Sequence, residues 1–438
     1  MKTVGIIAEF NPFHNGHKYL IEQAKLLTGA DCCVVIMSGD FVQRGAPAVC
    51  NKNLRTEMAL KDGADIVFEL PVIYSLGSAE MFAEGALKLL LSTGQIDWLC
   101  FGSECGDTEA LVKCASIIEE YTATPEFKEE LSAQIKSGLS YPSAFSKALS
   151  DALGNLQSLL YTPNNLLGIE YIRALLRLKK LNSTPEPDEC KDPVNVINLP
   201  EIMAIKRIGA DHFDPELKDL SSATAIRDFL GNLVGTSGTP DFSPLNNSLS
   251  NDVLKIVSDN YGKYLPITEN YFSSMLYMRL NSCSDEELFS IPDINPDLIH
   301  KLIEFRGKKL IISDLIMDLK SKCFTYTAIS RALFRILLCP AYTDAYRFLQ
   351  QDYSSSVSAS DSQKPYLRVL GFKKTCSEFL RNLRYSELID IVTKPADGPL
   401  NNPCFKLDVY ASNLYAQVCF EKYKTGFTED LKTGPIIL

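Results

Sequence analysis

What most limits the folds open to this chain is the rhythm of its first hundred or so residues, where short apolar runs alternate with amphipathic segments of helix length. Residues 4–8 (VGIIA), 32–37 (CCVVIM), 65–70 (DIVFEL) and 96–102 read as strands, and residues 17–27, 51–62 and 79–91 as the helices between them. Apolar runs that do not alternate with polar residues belong to strands buried on both faces, and parallel neighbours need a crossover of about a dozen residues. The order therefore predicts βαβ units and a doubly wound, Rossmann-like parallel sheet of the α/β class.

Past residue 108 the pattern turns helical to about residue 180, including 165–178, and residues 182–195, with three prolines, read as a surface insertion. Residues 196–199 and 202–208 read as further strands, and 222–230 as a short helix capped by Ser221 or Ser222. Residues 235–250, rich in Gly, Ser, Pro and Asn, read as a linker between a first domain of residues 1–234 and a second of 251–438. The second domain is expected to be separate and mainly helical. Residues 252–346 carry helical periodicity, 351–363 are a low-complexity loop, and 366–370, 389–393 and 407–410 are candidate strands with a helix at 376–383.

Composition bears on compartment and partners. With 438 residues, 46% hydrophobic and 22% charged, the chain has apolar material for two or three self-sufficient cores. Its 13 cysteines are odd in number and show no metal-ligand spacing, so no metal site is expected. No secretory h-region opens the chain, and no stretch reaches the roughly 18–20 apolar residues of a membrane span. The expectation is a cytoplasmic protein with reduced thiols and no membrane partner. A balance of 44 basic against 54 acidic residues, a net charge of −10, argues against a general nucleic-acid coat while leaving room for a local basic groove.

Chemistry concentrates directly after the first strand, in Glu9-Phe10-Asn11-Pro12-Phe13-His14-Asn15-Gly16-His17, which holds two of the chain's four histidines. In an open α/β sheet, the turn at the carboxyl end of a strand lies on the ligand-binding edge. Gly16 admits close backbone approach, and the first amides of the following helix carry partial positive charge. Imidazoles one turn apart share a helix face, so His14 and His17 are placed to donate to one phosphate chain. A pair of packed or capping histidines is the competing reading. Two other segments suit a nucleotide. Ser221-Ser222-Ala223-Thr224-Ala225-Ile226-Arg227 sets hydroxyls at a helix start with a guanidinium one turn on, and Phe101-Gly102-Ser103-Glu104 ends the fourth strand. After the second strand, Asp40, Gln43 and Arg44 either meet a small acid, phosphate or nucleotide or form a solvated loop. Lys18 and Lys52 either neutralise phosphate or solvate a face.

Together these residues resemble the nucleotidyltransferase superfamily marked by His-x-Gly-His and by a Ser/Thr-rich motif ending in Ile-Arg. The runs GIIAEFNPFHNGH, SGDFVQRGAPAVCNKNLRTEMAL, GADIVFELP, FGSE, PNNLLGIEY, KRIGADHFD and SSATAIR look more narrowly like the bacterial tRNA(Met) cytidine acetate ligase family. After Arg227 the likeness is sparser, through FTYTAISRALFRILL, LRVLGF and LDVYASNLY. The resemblance implies a nucleotidyltransferase domain followed by a mainly helical one. It also implies a ligase that uses ATP, as its magnesium complex, to turn acetate into acetyl-adenylate. The acetyl group then passes to the exocyclic amine of the wobble cytidine of elongator tRNA(Met). Such catalysis is positioning and charge stabilisation, which fits a motif without a dedicated nucleophile.

Carried over residue by residue, the resemblance implies His14, His17, Ser222 and Arg227 as catalytic. The implied ATP site comprises Ile7, Ala8, Glu9, Phe10, Asn11, Pro12, Phe13, His14, Asn15, Gly16, His17, Lys18, Tyr19, Leu20, Gly102, Arg207, Ile208 and either Asn164 or Asn165. The other asparagine of that pair is the helix N-cap after Pro163. For RNA, two basic segments stand out. One is Arg331 and Arg335, below Lys320 and Lys322; the other is Lys373, Lys374 and Arg381, with Phe372 and Tyr385 interleaved. The family tends to place a basic residue where this chain has Ala328. A small-molecule adenylyltransferase forming a dinucleotide cofactor shares the His-x-Gly-His turn but leaves the second half unexplained. A non-catalytic ATP-sensing RNA-binding protein has no use for His14, His17 and Arg227 together.

Overall fold

The apolar runs become strands in the computed structural model, which describes residues 1–183, 199–207, 222–233, 240–352, 365–383 and 389–438. The strands are β1 (Thr3–Ala8), β2 (Cys32–Ser38), β3 (Phe41–Val42), β4 (Ala46–Pro47), β5 (Ile66–Leu70), β6 (Trp98–Ser103), β7 (Glu201–Lys206), β8 (Tyr366–Phe372), β9 (Asp390–Val392) and β10 (Ile436–Ile437). Helices Asn15–Thr28 and Lys52–Lys61 carry the crossovers that set β1, β2 and β5 in parallel, with Ile7 beside Ile36 and Val35 beside Val67. The chain then returns to the other side of β1, where β6 pairs with it and β7 with β6, again in parallel. In the order β10-β8-β5-β2-β1-β6-β7 the winding reverses between β1 and β6, and a reversal of this kind opens a crevice at the carboxyl ends of the two strands.

The two-residue period of β2 serves two cores. Cys32, Val34 and Ile36 pack with the Ala79–Ser92 and Pro163–Ser183 helices, whereas Cys33, Val35 and Met37 pack with helices Asn15–Thr28, Lys52–Lys61 and Ala223–Asn232. A third core gathers Phe272, Leu276, Phe334, Leu338, Phe405 and Tyr415 from the second half, and Phe41 and Val72 reach into it from the first.

The second half is mainly helical, and it also lends strands to the sheet of the first. β8 pairs antiparallel with β5, Val67 beside Gly371, and β9 and β10 pair parallel with β8, so the sheet draws on both halves. The reason is the edge: β5 is buried on both faces, and an uncovered apolar edge strand invites intermolecular pairing, which β8 prevents. Residues 407–410 are corrected from strand to helix. The β-forming Val409 and Tyr410 lie within Pro403–Tyr423, whose start is set by Pro403 and by Asn402, which accepts from the amides of Cys404 and Phe405. The described part of the expected linker is packed rather than free, with Leu245, Ser248 and Leu249 buried. Residues 184–195 of the expected insertion and 353–363 of the low-complexity loop lie outside the described residues, as do 196–198 of an expected strand.

A buried charge network joins the halves. Lys52, 2% exposed, places its ammonium 2.8 Å from Glu69 Oε1 and 2.9 Å from Asp430 Oδ1 and donates to Ser412 Oγ at 2.8 Å. Arg368 Nη2 donates to Asp430 Oδ1 at 2.9 Å, and its Nε lies 3.4 Å from Glu69 Oε2. Two cations thus face two carboxylates, and each half supplies one of each sign. Lys52 therefore neither binds phosphate nor solvates a face. Among the described residues no helix is long and apolar enough to cross a membrane.

Candidate active site

The turn after β1 is tied down on every side. Phe10, buried, takes a positive φ of 47° that a non-glycine side chain holds only when its surroundings impose it. Glu9 Oε1 accepts from the Gln43 amide at 2.7 Å, Asn11 Oδ1 from the Val49 amide at 2.7 Å, and Asn15 donates through Nδ2 to Asn247 O at 2.9 Å. Arg55, 0% exposed and absent from the sequence expectations, donates to the carbonyls of Glu9 at 2.7 Å, Ser38 at 3.0 Å and Cys50 at 3.1 Å. It locks the loops after β1 and β2 to one helix. The available signal was polar: Arg55 shares a helix face with the buried Met58 and Ala59.

Within this frame the two histidines cap their own helix reciprocally. His14 Nδ1 accepts from the Gly16 amide at 3.0 Å, and His17 Nδ1 accepts from the His14 amide at 3.3 Å. The rings stack at 3.8 Å between centroids, and Phe10 meets His17 edge-on at 4.9 Å. Gly16 is required by the imidazole itself, since a Cβ there would lie 2.8 Å from His14 Cε1. A nitrogen that accepts carries no proton, so each neutral ring bears its hydrogen on Nε2. The capping and phosphate-donor readings are therefore compatible: Nδ1 serves the helix and Nε2–H is left for a ligand.

Both rings are held neutral. Burial first, then Arg207 and Arg227, lowers His14 from 6.5 to about 4, and burial, then His14 and Arg207, lowers His17 as well. Between about 6.5 and about 4 the unfolded chain binds a proton that folded His14 does not, so stability falls as pH drops through that window. The full contribution is about 3 kcal/mol. Urea unfolding between pH 7 and pH 4 without nucleotide should show it, and His14→Asn, which keeps a capping oxygen, should flatten the slope by that amount. An unchanged slope would mean that His14 ionises freely.

Across the crevice, the ends of β6 and β7 bring together Gly102, Glu104, Asn164 and Arg207. The stem of Arg207 lies over Gly102, where a Cβ would meet its Cγ at 3.4 Å, and Arg207 Nη1 donates to Asn164 Oδ1 at 3.2 Å. The structure gives the two asparagines that sequence left equal different surroundings. Asn165 is buried, its Oδ1 accepting from Ser103 Oγ at 2.6 Å and from the Glu104 amide at 2.9 Å, whereas Asn164 faces Arg207. Neither is the N-cap: Glu104 accepts from the amides of both, at 3.2 and 2.8 Å. Ile208 lies outside the described residues.

Arg227 Nη1 donates to Asn11 O at 2.6 Å and Nη2 to Thr224 Oγ1 at 3.0 Å, which brings its helix onto the histidine turn. Ser222 is that helix's N-cap, accepting from the Ala225 amide at 3.2 Å. Of the remaining implied ATP residues, Ile7, Phe10 and Phe13 are buried in the cores, Tyr19 and Leu20 pack against them, and Lys18 pairs with Asp62 at 3.4 Å. Asn11, Pro12 and Asn15 belong to the same turn. The β3–β4 hairpin rests on helix Tyr326–Leu338: Arg331 Nη1 donates to Gln43 O at 3.5 Å, and the positive-φ Gly45 has no room for a side chain against the Arg331 backbone.

The RNA expectation for Arg335 is corrected. At 3% exposed it donates to the carbonyls of Leu76, at 2.8 Å through Nη2, and of Asp293, at 2.9 Å, and so fastens helices together. Lys373 pairs with Asp65 at 3.3 Å, and Lys374 and Arg381 are exposed. All three follow β8, which runs against β5, so they lie at the amino ends of the parallel strands, opposite the histidines. Six residues of strand put the two edges about 20 Å apart. Tyr385 lies outside the described residues.

The family model described as HIGH Nucleotidyl Transferase matches residues 1–187 and 190–430. Over 443 residues the chain is 34% identical to the tRNA(Met) cytidine acetate ligase of Clostridium novyi, covering 100% of both proteins. The chain belongs to the tRNA(Met) cytidine acetate ligase family. It is also 34% identical, over 449 residues, to the tRNA(Met) cytidine acetate ligase of Caldicellulosiruptor saccharolyticus, covering 100% of this chain and 99% of that one. Among solved structures it is similar to Thermotoga maritima TmcAL bound with alpha-thio ATP and in apo form, at 27% identity, full coverage of both chains and TM-scores of 0.80 and 0.81. For this acetate ligase family member the likeness thus runs through the second half, where the sequence motifs are sparse.

Proposed function

We propose that the chain is an ATP-dependent tRNA(Met) cytidine acetate ligase that forms an acyl-adenylate. The observation that carries this reading is the convergence of two neutral Nε2–H donors with the guanidinium groups of Arg207 and Arg227 at the switch point of the sheet. An acetate oxygen attacks the α-phosphorus of ATP, the bond to the bridging oxygen of pyrophosphate breaks, and acetyl-adenylate remains. The exocyclic amine of the wobble cytidine then attacks the acetyl carbon, AMP departs, and the amine loses one proton. His14 and His17 donate to the phosphates, Arg207 holds the phosphate charge of bound ATP, and Arg227 balances the charge that develops on the departing pyrophosphate. Magnesium would arrive held by the ATP phosphates. Among the described residues the cluster with metal-ligand geometry, Cys32, Asp65 and Cys376, sits at the amino edge of the sheet, away from this site.

Residues 1–234 supply the adenylation groups, and residues 251–438 complete the sheet and meet the RNA. Arg331 at the crevice and Lys373, Lys374 and Arg381 at the far edge are proposed phosphate contacts, spaced for a molecule as large as tRNA. The test is transfer of labelled acetate to unmodified elongator tRNA(Met), omitting each component in turn. Label that requires both ATP and acetate is expected, and Lys374→Glu with Arg381→Glu should lower transfer while leaving acetate-dependent pyrophosphate release intact. Pyrophosphate release that depends on a nucleotide instead of acetate would sink the reading in favour of a cofactor adenylyltransferase.

A further inference from the structure

Glu104 stands where β6 ends, and its carboxylate is engaged in an unusual way. Oε1 accepts from the Asn164 amide at 3.2 Å and from Asn164 Nδ2 at 2.6 Å, while Oε2 accepts from the Asn165 amide at 2.8 Å. Pro163 has no N–H to offer, so Glu104 takes the first two amides of the Pro163–Ser183 helix. The local residue that would ordinarily do this is Thr162, whose carbonyl accepts from the Leu166 amide, yet its Oγ1 is buried without a hydrogen-bond partner among the described residues. The helix has a capping residue at hand and leaves it idle.

We propose that Glu104 is a positioning residue for ATP activation, setting the Arg207 guanidinium at the crevice through the side-chain amide of Asn164. The proposal rests on the ATP site assigned above. A carboxylate can only accept, so it draws the Nδ2 of Asn164 to itself and turns Oδ1 outward, where it accepts from Arg207 Nη1 at 3.2 Å. Burial opposes ionisation of Glu104, but the hydrogen bonds from Asn164 and Asn165 outweigh it and hold the carboxyl below its ordinary value, which keeps it acceptor-only at neutral pH. The amide between the two charges transmits orientation without an ion pair. Arg207 has no carboxylate within ion-pair distance among the described residues, and its charge reaches His14 and His17. A carboxylate set directly against Arg207 would orient it equally well and cancel the charge that the phosphates need.

The experiment is a double-mutant cycle on the full chain, read as KM for ATP and kcat of acetate-dependent pyrophosphate release, with thermal midpoints alongside. Glu104→Gln keeps one of the two acceptor oxygens and puts an NH2 donor in place of the other, so Asn164 is no longer held in one orientation. KM for ATP should rise about tenfold, the scale of one hydrogen bond to a charged group, with kcat changed far less. Asn164→Ala, which leaves the Glu104 cap on the backbone amides in place, should give the same rise. In an Arg207→Ala background, Glu104→Gln should add less than twofold. A full tenfold effect in that background would overturn the proposal, because Glu104 would then be acting on the helix alone, and so would an unchanged KM in Glu104→Gln. Failure of Arg207→Ala itself to raise KM would point to the ATP-site assignment and take the proposal with it.

Discussion

Replacing His17 by alanine is expected to slow acetate-dependent pyrophosphate release by on the order of 10²–10³-fold, the cost of removing one preorganised donor from a site where charge develops. The ring does three things at once: its Nδ1 accepts from the His14 amide at 3.3 Å, its face stacks on His14 at 3.8 Å, and its edge contact with Phe10 fixes its tilt. Those contacts fix the tautomer that leaves hydrogen on Nε2, so the donor needs no rearrangement when the phosphate arrives. His14 still caps the helix through the Gly16 amide, so the variant should fold. Single-turnover pyrophosphate release with saturating acetate measures the effect, and a rate within threefold of the parent would remove His17 from the site. His17→Gln is the informative companion. Its amide can supply an N–H but has no stacking face, so recovery of part of the rate would separate donation from placement of the neighbouring ring.

The second large effect concerns stability. Lys52→Met should cost about 3–5 kcal/mol, because it leaves Glu69 and Asp430 buried with Arg368 as their one remaining cation. The pKa of Lys52 shows the balance: burial and Arg368 push it down, but Asp430 and Glu69 outweigh them and raise it. Asp408, fully buried beside the network, is raised to about 7, first by burial and then by Glu69, even though it accepts from Tyr366 Oη at 2.6 Å and the Val72 amide at 2.7 Å. Loss of the Lys52 charge should push Asp408 higher still and draw in a proton on folding. Urea midpoints measure the loss, and Lys52→Met combined with Glu69→Gln should recover part of it by restoring neutrality. An undiminished midpoint in the single variant would mean that the network contributes nothing net. The halves meet through this network, so the loss should appear as one cooperative transition rather than as early unfolding of the second half.

Local information made part of this legible. The strands after residues 2, 31 and 64 were readable because unbroken apolar runs mark burial on both faces, a property of the run itself. The histidine pair was readable because three positions is one helical turn, and so was a serine cap at 221 or 222, of which Ser222 bonds three residues along. Residues 407–410 mislead because the β-forming Val409 and Tyr410 outweigh a capping signal that lies upstream, at Asn402 and Pro403.

The sequence by itself determined the parallel core, the position of the histidine turn at the carboxyl end of β1, and the pairing of its two imidazoles on one helical turn. Tertiary structure alone decided that β8 would close an edge formed some 300 residues earlier, that Arg55 and Arg335 would be interior clamps on carbonyls, and that Asn164 rather than Asn165 would face Arg207. The physical reason is range. Backbone geometry and hydrophobic period act over a few residues, whereas the fate of a charged side chain depends on which distant carbonyls and carboxylates fold around it. Arg335 and Arg381 look alike in the chain, and only the packing of helices around the first makes one a fastener and leaves the other exposed.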